Sequence, residues 1–161
     1  MEYGTHLVDM MRALWGEPRR VYARHHHQNP RVRGETIAHA LYEYDDATAI
    51  IDIAWKNGGF QQGSFVLVGD EGEAFYEGRM TRGEAARFRL CRHGEVVLDE
   101  VVSPTEAYEE SFYLFERDAA DAMLGRGPAP QPAADNLRTL ACSLAPYVAA
   151  TEGRVVDLDR T

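Results

Sequence analysis

A chain of 161 residues, 45% apolar and 27% charged, is long enough to bury a core as one domain and has the composition of a soluble globular protein. Its net charge of -9 argues against a nucleic-acid binder, which calls for a basic patch, and no apolar run approaches a membrane span. Cys91 and Cys142 lack metal or redox spacing, and no secretory leader precedes the first predicted helix. A reduced, cytoplasmic pair is the default expectation, with a disulfide left open.

The first sixteen residues, MEYGTHLVDMMRALWG, read as a short amphipathic helix. Leu7, Met10, Met11, Leu14 and Trp15 recur at helical spacing and predict one apolar stripe, while Glu2, His6 and Asp9 stack along another side. Thr5, preceded by Gly4, reads as the N-cap; Gly16 fits a left-handed stop, and Pro18 cannot continue the helix. The polar trio admits two readings. It is either a solvated helix face with Glu2 complementing the dipole, or Glu2 and His6 form a coupled acid and base suited to proton transfer near neutral pH.

Arg20 to His27 reads as a strand with Val21 and Ala23 on one side and Tyr22 and Arg24 on the other. It ends in His25-His26-His27. Two same-face histidines with a carboxylate are a start toward a divalent-metal site, but no third ligand stands at a telling spacing, so no metal is expected. Thr36–Tyr44 and Ala47–Lys56 form a hairpin turning at Asp45-Asp46. The second strand carries apolar groups on both faces: Ala47, Ala49, Ile51, Ile53 and Trp55 on one, Ile50 and Ala54 on the other. A covering partner subunit is therefore expected on the outer face.

Further strands follow at Ser64–Val68 and Glu73–Tyr76 across Gly69-Asp70-Glu71-Gly72, then at Arg87–Arg92 and Glu95–Val102 across His93-Gly94. Ser103-Pro104-Thr105-Glu106 is a helix start, and the stripe Tyr108, Phe112, Phe115, Ala119, Ala122 and Met123 predicts a core-facing helix ending at Gly125. Pro128, Pro130 and Pro132 form a stiff linker. Asp135 is expected to cap a last helix with the stripe Leu137, Leu140, Ala141, Leu144 and Val148, kinked at Pro146, before a final strand at Arg154–Leu158. This order predicts an α+β domain spanning 1–161: an open, mostly antiparallel β-sheet with helices packed on one face.

Several of these segments together resemble the C-terminal domain of the Gfo/Idh/MocA oxidoreductases. The likeness is carried by Glu2-Tyr3-Gly4-Thr5-His6-Leu7-Val8-Asp9, Gly16-Glu17-Pro18 and Arg20-Val21-Tyr22-Ala23. It continues in Val68-Gly69-Asp70-Glu71-Gly72, Gly125-Arg126 with Pro128, Asp135-Asn136-Leu137, and Glu152-Gly153-Arg154-Val155-Val156. The resemblance implies hydride transfer between NAD(P) and a secondary alcohol of a sugar or polyol. His6 would exchange the hydroxyl proton and Glu2 would orient it, with Glu2 standing where the family usually has Asp. Tyr3, Asp9, Arg12 and Trp55 are the expected substrate-side residues.

The resemblance also shows what is missing. The dinucleotide fold needs a Gly-rich turn between a strand and a helix, and the family's catalytic lysine lies in that N-terminal domain; this chain has neither, its one lysine being Lys56 at a strand end. No cofactor is expected to bind the chain alone. The expected partners are a second copy, as a homodimer or higher even oligomer through the open sheet face, a separate Rossmann-domain protein and a small-molecule substrate. The alternatives are a stand-alone binding or scaffold domain without dehydrogenase activity, or a cofactor-free acid/base enzyme using Glu2 and His6.

Overall fold

As a computed structural model, the protein is described over residues 2–54, 63–78 and 85–158, with backbone only for Glu2, Tyr3 and Gly63. The elements in chain order are α1 (Glu2–Trp15), β1 (Arg20–His26), β2 (Ile37–Glu43), β3 (Thr48–Ala54), β4 (Gly63–Gly69), β5 (Gly72–Gly78), β6 (Ala86–Arg92), β7 (Glu95–Val102), α2 (Pro104–Met123), α3 (Ala133–Glu152) and β8 (Val156–Asp157). They gather into two compact units, Met1–Gly58 with Gln131–Thr161, and Gly59–Pro130. The fold is α+β, as expected, with the described strands divided between two four-stranded antiparallel sheets.

In the first unit the sheet runs β3-β2-β1-β8. The period-2 alternation read from the sequence holds on β1 and β3: Val21, Ala23 and Ile51 are buried, and Ala49 and Ile53 pack against the same core. On β2, Ala38, Ala40 and Tyr42 point the same way, and α1 and α3 cover this face. Ile50 stands 67% exposed on the opposite face. Trp55, expected to join the inner row, lies outside the described residues.

Helix α3 presents a different side to the core from the one its leucines predicted, whereas on α1 the stripe is only shifted: Leu7 and Met11 pack on the core as expected. Helix α1 already runs through Gly4 and Thr5, so Thr5 is not its N-cap, and its buried side is Gly4, Val8, Met11 and Arg12; Leu14 and Trp15 are exposed. Gly16 does adopt the left-handed stop, at φ 81°, with its N–H bonded to Arg12 O at 2.8 Å. On α3 the buried residues are Thr139, Cys142, Ser143, Ala145, Pro146 and Ala149, while Leu137, Leu140, Leu144 and Val148 remain exposed. Small residues let the α3 backbone lie close on Val21 and Ala23, and the leucines are left facing outward. Pro132, not Asp135, holds the N-cap position; Asp135 sits in the first turn with its carboxylate drawn to Arg12.

Pro146 lies inside α3 and is fully buried. Having no N–H, it leaves the carbonyl of Cys142 without its intrahelical donor. Tyr42, itself 1% exposed, supplies the replacement: its hydroxyl donates to Cys142 O at 3.0 Å. The Tyr42→Phe variant should therefore lose about 1–3 kcal/mol of stability, the cost of a buried acceptor left unpaired. Equilibrium urea unfolding reads this directly, and an unchanged midpoint would show that the carbonyl finds another donor.

In the second unit, β4-β5-β6-β7 form a meander. Gly69 and Gly72 close the β4–β5 hairpin, and His93 and Gly94, at φ 50° and 84°, make the two-residue turn from β6 to β7. At the start of α2, Ser103 Oγ accepts from Glu106 N at 3.4 Å and Pro104 takes the first turn, as the sequence predicts. The aromatic stripe of α2 is not core: Phe112, Phe115 and Met123 are 52%, 46% and 89% exposed. The unit has little apolar interior against which to bury them; among its described residues only Ala86 and Pro104 are buried.

Candidate functional site

The polar stripe of α1 is the centre of the candidate site. Glu2, His6 and Asp9 occupy positions i, i+4 and i+7 of one helix, and His6 is exposed, turned away from the buried side formed by Gly4, Val8 and Met11. The side chains of Glu2 and Tyr3 lie outside the described residues. Asp9 faces α3, where Thr139 Oγ1 donates to Asp9 Oδ1 at 2.6 Å.

Arg12 is placed in the joint between α1, α3 and the turn into β1. It is only 7% exposed. Its Nε donates to Glu17 Oε2 at 3.0 Å and its Nη2 to Glu17 Oε1 at 2.5 Å and Asp135 Oδ1 at 2.8 Å. Its Nη1 reaches Thr139 Oγ1 and, at 3.3 Å, Asp135 O. The hydrogen bonds from Arg12 hold the Glu17 carboxyl below its ordinary range against the opposing effect of burial. The guanidinium is thus committed to a helix clamp, which fixes the orientation of the stripe that carries His6.

The three successive histidines diverge. His25 points to the inner face, its ring meeting Tyr147 edge-on at 4.8 Å and 75°. His26 stands on the outer face, 6.2 Å from the His39 ring, and His27 bonds the Gly34 carbonyl beyond the strand end. Among the described residues no group of three or more His, Cys, Asp or Glu is placed to hold a metal ion.

One cluster carries no signal in the sequence. Tyr147 Oη donates to Glu35 Oε1 at 2.5 Å, and His25 lies beneath Tyr147 with its Nε2 buried and unpaired. Burial pushes the His25 imidazole pKa down, with Glu35 opposing, so the ring is held neutral. The contacts Asp9–Thr139 and Arg12–Asp135 make α1 and α3 antiparallel neighbours whose paired numbers add to a nearly constant sum. Extending that register sets Tyr147 level with the first residues of α1. The cluster therefore lies at the same end of the helix pair as Glu2 and His6, assembled from residues in β1, the β1–β2 loop and α3.

Among the described residues, no glycine-rich turn leads from a strand into a helix. Both described sheets are antiparallel, and the glycine pair Gly69 and Gly72 joins two strands, whereas a phosphate-binding turn opens into a helix.

Residues 1–75 match a family model described as the GFO/IDH/MocA C-terminal domain. Over 98% of its length the chain is 26% identical to a D-apiose dehydrogenase of Rhizobium rhizogenes and 29% identical to one of Paraburkholderia graminis, covering 48% and 44% of those proteins. It thus spans about half the length of the curated relatives it matches. Among solved structures it is similar to an oxidoreductase from Agrobacterium radiobacter in complex with NAD+, L-tartaric acid and magnesium, with a TM-score of 0.78 at 23% identity over 98% of this chain and 48% of that one. It is also similar to the WlbA dehydrogenase from Bordetella pertussis in complex with NADH and UDP-GlcNAcA, with a TM-score of 0.72 at 20% identity over 96% of this chain and 46% of that one. Residues 1–75 are thus similar to the C-terminal domain of the Gfo/Idh/MocA oxidoreductases, and the curated relatives align along nearly the whole chain.

Proposed function

We propose that this chain is the substrate-binding and assembly half of an NAD(P)-dependent oxidoreductase acting on a sugar or polyol, working in the cytoplasm together with a dinucleotide-binding domain. The observation that carries this reading is an exposed imidazole at the start of a helix held rigidly in place by a buried arginine clamp. The names of the matched relatives, D-apiose dehydrogenases, support a small sugar as substrate.

In this reading His6 takes the proton of the substrate hydroxyl as that carbon is oxidised and returns it in the reverse direction. Glu2, one turn earlier, orients His6 or binds a neighbouring hydroxyl, and Asp9, one turn later, is a substrate-side carboxylate held by Thr139. Tyr3 and Trp55 are proposed as substrate-binding residues on the resemblance alone; their side chains lie outside the described residues. The hydride step is left to the nicotinamide held by the dinucleotide-binding domain. The exposed apolar residues Leu137, Leu140, Leu144 and Val148 on α3 offer a surface against which a second domain packs. The outer face of the β3-β2-β1 sheet is assigned to a second copy of the chain.

Two measurements test the reading. Calorimetry on residues 1–161 should show no saturable binding of NAD+ or NADP+ at micromolar concentration; stoichiometric binding would contradict the division of labour. When the chain is joined to a dinucleotide-binding domain of a matched relative, D-apiose oxidation should fall by about 100-fold or more in the His6→Ala variant, the range expected for loss of a general base. Full activity without His6 would move the chemistry elsewhere.

A further inference from the structure

The cluster of His25, Glu35 and Tyr147 is built more firmly than a surface contact. Glu35 stands in the β1–β2 loop between two anchored neighbours. On one side the His27 ring bonds the Gly34 carbonyl; on the other Thr36 is only 4% exposed. Thr36 N donates to His26 O at 2.9 Å, and Thr36 Oγ1 accepts from Gln28 N at 2.9 Å and donates to His26 O at 3.3 Å. Tyr147 Oη then fixes the carboxylate from α3. Against the opposing effect of burial, hydrogen bonds to Glu35, that from Tyr147 among them, hold its carboxyl below the ordinary range, so it is an anion at neutral pH. Beside it, His25 Nε2 is buried without a partner. A buried ring nitrogen that makes no hydrogen bond lowers stability, and ligand-binding sites are where folds tolerate such a cost.

The helix pairing sets the cluster's place relative to His6. Tyr147 lies eight residues beyond Thr139 on α3, and His6 three residues before Asp9 on α1. At a rise of about 1.5 Å per residue, Tyr147 stands about 7.5 Å past His6 along the pair, a length that a small sugar spans. Glu2 and Asp9 share the stripe of His6, and Glu35 adds a third carboxylate at the far end. Sugar hydroxyls donate to carboxylates and to a neutral imidazole, whereas an acidic ligand brings like charge to every one of these carboxylates.

We propose that Glu35, fixed by Tyr147, and His25 form the end of the substrate site that selects an uncharged sugar or polyol over a sugar acid, with His25 Nε2 taking a substrate hydroxyl. The inference rests on the function proposed above and adds the charge class of the substrate and the residues that choose it.

The test is imidazole NMR on the 161-residue chain, in which long-range proton–nitrogen spectra follow the rings of His6 and His25. The probes are D-apiose and its aldonic acid, the same skeleton carrying a carboxylate, each titrated to tens of millimolar. The sugar should shift both rings saturably, and the acid should bind at least roughly 10-fold more weakly. In Glu35→Gln, which keeps an acceptor for Tyr147, that ratio should fall to about 3-fold or less. His25→Leu should unfold at no lower urea concentration than wild type, because it removes an unpaired buried nitrogen, yet bind the sugar roughly 10-fold more weakly. A sugar that moves His6 but leaves His25 still, or a His25→Leu chain that unfolds earlier and binds normally, overturns the role of His25. An acid that binds as well as the sugar, or a ratio unchanged in Glu35→Gln, overturns the selection and gives the deciding role to other groups, such as the exposed Arg31 and Arg33 of the same loop. Each of these results leaves the function proposed above standing. A sugar that moves neither ring overturns that function, and the inference with it.

Discussion

Replacing Arg12 with leucine should lower the unfolding free energy by about 2–4 kcal/mol, even though the substitution keeps helix propensity and bulk on α1. Among the described residues Arg12 is the one buried cation, and it joins three segments: its partners are Glu17 in the turn to β1, and Asp135 and Thr139 on α3. Removing it leaves those acceptors facing one another across a joint built for a guanidinium. The estimate stays below the full cost of breaking a buried ion pair because the Glu17 and Asp135 side chains are 43% and 51% exposed, so water partly solvates them. The effect should also depend on pH, with a definite sign. The hydrogen bonds from Arg12 lower the Glu17 pKa in the folded chain. A group depressed in this way stabilises the fold above its unfolded value, and that stability is lost as pH falls through the folded value. Wild type should therefore lose stability on acidification below about pH 4.5, the unfolded carboxylate range, and Arg12→Leu should lose less over the same interval. Urea unfolding at pH 7 and pH 4 checks both parts; equal midpoints for the two proteins at pH 7 would show that the joint is held by packing alone.

Arg12 also shows where sequence reading reaches its end. On a helical wheel it looks like a polar residue beside the candidate stripe, and so reads as a pocket-rim side chain. Its burial depends on Asp135 and Thr139, more than 120 residues away, and no local pattern reports that. The same holds for Tyr147, Glu35 and His25, which meet only because α3 folds back over the end of β1. The stops at Gly16 and Gly153, the cap at Ser103 and the turn at His93-Gly94 were legible because each is decided within a few residues by a backbone angle or one hydrogen bond.

Helix α3 is the instructive case between these extremes. Its existence and C-terminal end were clear, but the leucine stripe named the wrong face. Hydrophobic periodicity finds the side with the largest apolar groups; it does not know how close the neighbouring sheet lies. Against β1, where Val21 and Ala23 are fully buried, the helix must approach closely, and only Cys142, Ala145 and Ala149 allow that. The leucines are left for another surface. The period-2 reading of β3 succeeded for the opposite reason: a strand's two faces are fixed by the pleat, so Ile51 in and Ile50 out followed once one was assigned.

That outward Ile50 yields the largest expected effect on assembly. At 67% exposure it is the most exposed large apolar side chain of the first sheet, opposite the helices and between Leu41 on β2 and the open edge of β3. If the outer face meets a second copy, Ile50→Glu places a carboxylate in each half of a two-fold contact with no cation opposite. An unpaired buried charge costs about 3–5 kcal/mol, so the dimer should weaken by at least roughly a hundredfold while the fold, in which this side chain takes no part, stays intact. His6→Ala should leave assembly unchanged, because His6 belongs to α1, on the far side of the sheet from Ile50. Light scattering on wild type and both variants at tens of micromolar separates the cases. A dimer insensitive to Ile50→Glu but dissociated by His6→Ala would transfer the interface to the helical side, and with it the surface on which the candidate acid–base pair would have to meet its substrate.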